Sequence, residues 1–153
     1  MQPTSSLGQN LNHLAFVLGR QSDQILQERL GIGISQFKIM TALQEKPNIQ
    51  QKQIAGTLGQ TEASISRQIK LMLDQGLLQT NINPANRREH ITVLTLKGER
   101  LTDEARNILN SYHSPVFESL SQKQQENLGE ILDILHSATC RADRPGSCSY
   151  NKL

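Results

Sequence analysis

Apolar residues recur at helical spacing in the first part of the chain. From residue 7 onward they are spaced by four, three, four and seven positions: Leu7, Leu11, Leu14, Leu18 and Ile25. This spacing predicts one long amphipathic helix that reaches about residue 30 and is ended by Gly31 and Gly33. Residues 1–6, which precede it, are expected to form a loose arm.

A second helix is predicted over residues 36–45. Ser35 is placed to cap its first turn, and Pro47 closes it. Asn48 and Gln51 stand three positions apart, an arrangement typical of a helix N-terminus. A third helix is therefore expected shortly after the proline.

The centre of the chain has the order of a helix-turn-helix. A short helix is predicted over residues 53–58, and Gly59 tolerates the backbone angles of a tight turn. Either Thr61 or Gln60 can cap the next helix, which is predicted over residues 62–75.

This next helix has an apolar side and a polar side. The apolar residues, which should face a core, are Ile65, Ile69, Met72 and Leu73. The polar residues on the remaining surface are Thr61, Ser64, Arg67, Gln68 and Lys70. Arginine and glutamine can pair with purine edges in the major groove, and serine can reach bases or phosphates. Periodicity by itself reports burial, so an ordinary core helix with a solvated face fits this segment equally well.

A hairpin with a basic tip is predicted after this helix. Gly76 ends the helix, and two short runs with β-branched residues follow at 77–82 and 90–96. Pro84 and its asparagine neighbours favour a turn between them. Two adjacent arginines lie near the tip of that turn, Arg87 and Arg88. Such a tip suits phosphate contact and the narrow minor groove, whose negative potential attracts arginine.

Two more helices are predicted after the hairpin. Thr95 can cap the first, and Pro115 should kink or interrupt it. Ser121 with Gln124 forms another cap signal, and the last helix is expected to reach about Ala138.

The motifs resemble those of the MarR family, the multiple-antibiotic-resistance regulators of bacteria and archaea. The matching stretches are Ile54-Ala55 with Leu58-Gly59, the run from Ala63 to Arg67, the run from Gly76 to Leu78, and residues 83–101. The family's wing usually reads Asp-Arg-Arg, in which the aspartate braces an arginine. Here Asn86 precedes the arginines, and it can accept a hydrogen bond but supplies no charge.

The predicted fold is mainly α with a small β-hairpin wing, a winged helix-turn-helix. We expect an arm and dimerisation helix in residues 1–34, a DNA-binding domain in 35–98, further dimerisation helices in 99–138, and a tail in 139–153. The resemblance implies a homodimer that associates through its N- and C-terminal helices. Such a dimer would place two reading helices about 34 Å apart, one turn of a palindromic operator.

The overall charge and the motif content agree with a regulator better than with an enzyme. Net charge is only +2, but residues 52–100 hold seven basic and four acidic side chains, which agrees with phosphate binding. No HExxH, GxSxG or glycine-rich phosphate loop occurs. No signal peptide or membrane-spanning run is visible, so a cytoplasmic location is expected. We predict no catalytic residues, cofactor or metal.

We therefore predict a DNA-binding transcriptional regulator, most simply a ligand-responsive repressor. The residues expected to contact double-stranded DNA are Ala63, Ser64, Arg67, Gln68, Arg87 and Arg88. The alternative is a winged helix used for protein contact, whose basic tip binds an acidic partner.

Two sensing mechanisms remain open. The resemblance to the MarR family implies an aromatic or lipophilic effector bound beside the DNA-binding domain. The residues that could line such a site here are His13, Phe16, Arg20, Phe37, Met40 and Tyr112. Cys140 and Cys148 allow a redox sensor instead, because arginines near a thiol favour the reactive thiolate. Incidental thiols in a tail are the simpler explanation.

Overall fold

A computed structural model describes residues 4–47 and 49–140. Over these residues the elements are, in chain order, α1 (Thr4–Leu30), α2 (Ile34–Glu45), α3 (Gln51–Leu58), α4 (Glu62–Asp74), β1 (Leu78–Asn83), β2 (Asn86–Leu94), α5 (Leu96–Glu118) and α6 (Gln122–Thr139). The two strands form one antiparallel hairpin. The mainly helical fold with a hairpin wing is thus confirmed. We call α2, α3, α4 and the hairpin the reading head, and α1, α5 and α6 the frame.

The hydrophobic core lies in the reading head. All but two of its buried apolar residues fall between Ile32 and Leu78, while Leu26 of α1 and Ala105 of α5 come from the frame. Fully burying one such side chain contributes about 1.5–3 kcal/mol, so this core is the main source of stability within one chain. The frame packs on this core through these two residues and through the partly buried Leu30, Leu101 and Leu109.

The start of α2 differs from the prediction. The helix begins at Ile34, with Gly33 in the cap position, so the assignment of the cap to Ser35 is wrong. The reason lies on α1, where the Asp23 carboxylate accepts the Ile34 N–H at 2.8 Å. The Gln36 side chain accepts the Gly33 N–H at 3.0 Å. A carboxylate eleven residues earlier in the chain therefore accepts an otherwise unpaired N–H in the first turn of α2 and joins this helix to α1.

Three other boundaries differ from expectation. Helix α1 already begins at Thr4, so residues 4–6 belong to this helix and not to the expected loose arm. Helix α3 begins at Gln51 with Gln50 in the cap position, and Asn48 lies outside the described residues. Helix α5 continues through Pro115 to Glu118, so the predicted interruption does not occur. Proline there removes a hydrogen bond to Ser111, which is exposed, and water can satisfy that carbonyl.

The first turn of α5 is fastened to the end of α4. The Thr95 hydroxyl donates to the carbonyl oxygens of Gly76 at 2.7 Å and Leu77 at 3.1 Å, and it accepts the Gly98 N–H at 3.1 Å. The Lys97 ammonium donates to the Gln75 carbonyl at 2.9 Å, where a positive charge also complements the C-terminal end of α4. The predicted cap at Thr95 is confirmed, and it orients the frame relative to the reading head.

The frame exposes many large apolar side chains. Those that are 43% exposed or more are Leu7, Leu11, Leu14 and Phe16 of α1, Leu96, Tyr112, Val116 and Phe117 of α5, and Ile131, Leu132, Ile134 and Leu135 of α6. Helix α6 buries none of its residues in this chain. None of the helices within 4–47 and 49–140 is long and apolar enough to cross a membrane.

Replacing Gly98 with alanine should lower the free energy of unfolding by at least about 2 kcal/mol. A Cβ at this position would lie 2.1 Å from the Leu77 carbonyl oxygen, so α5 would have to move away from the reading head. Urea unfolding followed by circular dichroism measures the change.

The matched control is Gly56→Ala in α3. A Cβ there would meet nothing within 4 Å, and alanine favours a helix over glycine by up to about 1 kcal/mol. Equal stability of the two variants would show that the close approach at Gly98 is not required.

Candidate nucleic-acid interface

Helix α4 is positioned by its cap and its buried side. Gly59 adopts φ 63°, which glycine tolerates and which turns the chain from α3 into α4. The Thr61 hydroxyl accepts the Ser64 N–H at 3.1 Å, so Thr61 and not Gln60 is the cap. The apolar side predicted from the spacing is buried, with Ile65, Ile69 and Met72 at 3% exposure or less. The opposite side of α4 therefore faces solvent in one fixed orientation.

Two of the four predicted α4 contact residues are exposed on that side. Ala63 and Arg67 are exposed, and so are Ser66 and Lys70, which lie on the same surface. Arg67 and Lys70 make no ion pair or side-chain hydrogen bond with another described residue. Their charges are thus available to an external anion.

The other two contact residues belong to a hydrogen-bond network centred on Gln60. Ser64 and Gln68 are half-buried. The side-chain oxygen Oε1 of Gln60 accepts hydrogen bonds from Gln68 Nε2 at 3.0 Å and from Ser64 Oγ at 3.4 Å. The side-chain nitrogen Nε2 of Gln60 donates to Ser35 Oγ at 2.6 Å. The sequence marked Gln60 only as a possible cap, because nothing in local spacing shows a contact with Ser35, 25 residues earlier.

The wing tip is folded by two asparagine side chains. Asn83 Oδ1 accepts the Ala85 N–H at 3.0 Å, and Asn86 Oδ1 accepts the Arg88 N–H at 3.2 Å. Asn86 therefore braces the backbone of the tip, as an uncharged acceptor can. Arg87 and Arg88 are exposed and make no side-chain hydrogen bond with another described residue.

The strands hold this tip at a defined place beside α4. They pair from Leu78 opposite Leu94 to Ile82 opposite His90, and the register shifts between Ile82 and Asn83. Leu78 is buried in the core and follows α4 after a short turn at Gly76, whose φ is 70°. The arrangement gives one polar helix face and one arginine-bearing finger on a single rigid head. Chemically it can bind an extended polyanion.

The residues proposed for an effector are not gathered in one place. Met40 is fully buried in the core and Phe37 packs against it, whereas His13 and Phe16 are exposed on α1. The Arg20 guanidinium lies 5.8 Å from the centre of the Phe16 ring, a cation–π contact.

A cleft of about 380 Å³ lies between α1 and α5. Its walls are mostly apolar, and its lining residues are Ile25, Arg29, Glu104, Asn107, Ile108, Ser111 and Tyr112. Of the six candidate effector residues, only Tyr112 lines it. The other five were proposed from the family resemblance, which does not show the surface to which each side chain of this chain contributes.

Of the two cysteines, Cys140 lies within the described residues and Cys148 does not. Cys140 is half-buried at the end of α6, where its N–H donates to the His136 carbonyl at 2.8 Å. Within the described residues no group of three or more histidine, cysteine, aspartate or glutamate side chains could hold a metal ion.

Comparison with known proteins gives a consistent set of regulators. Residues 32–90 match the model of the MarR family. The transcriptional regulator HosA of Escherichia coli O111:H- is 29% identical over 103 residues, 67% of this chain and 76% of HosA. The HTH-type transcriptional regulator BilQ of Clostridium symbiosum is 23% identical over 112 residues, 73% of this chain and 76% of BilQ.

Solved structures share the fold. The crystal structure of CouR from Rhodococcus jostii RHA1 bound to p-coumaroyl-CoA has a TM-score of 0.75 at 21% identity, covering 90% of this chain and 95% of CouR. At that identity the likeness extends to the fold of the frame and the reading head together.

Replacing Thr61 with alanine should lower the free energy of unfolding by about 1 kcal/mol, because the Ser64 N–H loses its acceptor. Thr61→Ser keeps a hydroxyl and should lose little. Thermal unfolding without DNA measures both. If serine destabilised the protein as much as alanine, the hydroxyl would not be the source of the effect.

Proposed function

Because the chain belongs to the MarR family of transcriptional regulators, we propose that it is a sequence-specific DNA-binding regulator that represses nearby genes as a homodimer. One observation carries this proposal. The exposed cations of α4 and the wing lie on the same reading head, and those of Arg67, Lys70, Arg87 and Arg88 are unpaired among the described residues.

In the proposed complex, α4 lies in the major groove. Arg67 reaches a base edge, where a guanidinium pairs best with guanine, and Ala63 at the helix start contacts a thymine methyl group. Lys70 contacts a phosphate. Arg87 and Arg88 on the wing reach the adjacent minor groove or its phosphates. Direct reading by α4 and sequence-independent attraction by the wing are then separate contributions to binding.

Dimerisation is proposed through the frame. The exposed apolar residues of α1, α5 and α6 have no cover within one chain, and surface apolar patches of this extent mark association sites. A twofold axis through the frame would present two reading heads to one face of a palindrome, which supplies more base contacts than one head can. Such a regulator would work in the cytoplasm.

A small effector is proposed to bind within the frame, in the cleft between α1 and α5. The cleft between α1 and α5 offers apolar walls, an aromatic ring at Tyr112 and a cation at Arg29, which suit an aromatic or lipophilic acid. CouR, which shares the fold, is bound to p-coumaroyl-CoA. A ligand that binds better when the heads are wrongly spaced would release the operator.

Arg67→Ala and Arg88→Ala should weaken DNA binding in different ways. Loss of Arg67 should cost about 1–3 kcal/mol of binding free energy and relax the preference at one base pair. Loss of Arg88 should weaken all sequences alike and reduce the slope of log K against log salt by about 1. Mobility shifts with upstream DNA, operator variants and random DNA at several salt concentrations measure both effects.

Lys123→Ala is the matched control for charge, because this lysine is exposed on α6, away from the reading head. The Lys123→Ala variant should leave both the binding free energy for each operator variant and the slope of log K against log salt unchanged. If Arg67→Ala bound every operator variant as well as the wild type does, α4 would not be the reading helix. A wild type that bound neither upstream nor random DNA would favour the protein-contact alternative.

Ile134→Asp should convert a dimer into a monomer and abolish operator binding at concentrations where the wild type binds. Ile134 is 68% exposed on α6, and a carboxylate there would have to be desolvated in the proposed interface. Sedimentation should give about twice the chain mass of 17.1 kDa for the wild type and one chain mass for the variant. Ile82→Asp, at a 59% exposed site on the wing, should leave the mass unchanged. A wild type that sediments as a single chain would contradict the dimer.

A further inference from the structure

The side chain of Gln60 joins α2 to α4 with a defined polarity. Its Nε2 donates to Ser35 Oγ at 2.6 Å, so the carbonyl end of the amide is turned toward α4. Gln60 itself stands in the turn between α3 and α4, where the Gly59 backbone and the Thr61 cap fix the chain on either side. The side-chain amide of Gln60 is therefore fixed by its hydrogen bond to Ser35, and it cannot rotate without losing that bond.

The Gln60 carbonyl oxygen in turn holds the amide nitrogen of Gln68. Gln68 Nε2 donates to Gln60 Oε1 at 3.0 Å and lies 3.4 Å from Ser64 Oγ. A glutamine amide nitrogen carries two hydrogens, so both are directed into the protein. Gln68 Oε1 accepts no hydrogen bond from a described residue, and it remains as the polar end that the half-buried side chain can offer to a ligand.

We propose that Gln60 is a positioning residue for base recognition, and that it makes Gln68 present a hydrogen-bond acceptor to the major groove. This inference rests on the proposed DNA-binding function. In the major groove the donors are adenine N6 and cytosine N4, whereas guanine presents acceptors and thymine presents an acceptor and a methyl group. Gln68 therefore selects adenine or cytosine on the strand it contacts.

The positioning changes what this glutamine can read. An unrestrained glutamine pairs with adenine through two hydrogen bonds, accepting from N6 and donating to N7. With its nitrogen engaged by Gln60, Gln68 keeps only the accepting half of that pair. Cytosine then becomes as good a partner as adenine, and guanine is rejected because two acceptors would face each other.

Selection from a pool of randomised DNA duplexes tests the proposal with the full chain. The base pair at which Gln68→Ala loses its preference identifies the position contacted. At that position the wild type should prefer adenine or cytosine by about tenfold, the scale of one base contact. Gln60→Ala should lose this preference and accept guanine. Gln60→Glu should keep the preference, because a carboxylate oxygen accepts the same Gln68 N–H while the Ser35 hydroxyl turns to donate. In a Gln68→Ala background, Gln60→Ala should change nothing further at this position.

A wild type that prefers guanine or thymine there would overturn the inference. So would a Gln60→Ala variant that keeps the full preference for adenine or cytosine.

A measurement on the protein without DNA separates this inference from the proposed function. The side-chain amide protons of Gln68 should exchange slowly with solvent, by nuclear magnetic resonance, in the wild type and Gln60→Glu, and faster in Gln60→Ala. Equal exchange in the wild type and Gln60→Ala would overturn the positioning role, whatever DNA the protein binds. Slow exchange that depends on Gln60, combined with no DNA selected by the wild type, would instead overturn the DNA-reading function and the base choice derived from it.

Discussion

The contact between the first turn of α5 and the carbonyl oxygen of Leu77 fixes the relation between the two parts of the molecule. Glycine at position 98 lets the backbone of α5 approach the Leu77 carbonyl closely. Thr95 and Lys97 donate hydrogen bonds to the carbonyl groups at the end of α4 and in the turn that follows it. The helix that presents the polar face and the helix that carries the frame are thus joined backbone to backbone. Little side-chain freedom separates them, so a tilt of α5 must turn the end of α4.

A second set of polar contacts ties the reading face to the remainder of the head. Asp23 holds the start of α2, and Ser35 in the first turn of α2 receives the amide of Gln60. Gln60 then orders Ser64 and Gln68 on α4. Two sets of hydrogen bonds, joined through the first turn of α2, therefore connect α1 to the polar surface of α4. Groups that would otherwise be flexible are oriented before any partner arrives, which reduces the entropy lost on binding.

The sequence predicted what is local and missed what is distant. The caps at Thr61, Thr95 and Ser121 are confirmed because each hydroxyl meets an N–H three residues later. The buried side of α4 is confirmed because its spacing reports burial directly. The cap assigned to Ser35 is wrong because Asp23 reaches across from another helix. The α1–α5 cleft and the Gln60 network were not foreseen, since both join residues whose proximity depends on how helices pack.

Helix α6 has 18 residues and buries none of them in its own chain. An isolated helix of that length is only marginally stable in water, because its hydrogen bonds barely offset the entropy of ordering the backbone. In the proposed dimer a second chain covers its apolar side, and mass action makes that cover weaken on dilution. The last helix would then depend on how much protein is present, whereas the reading head is stabilised by its own core.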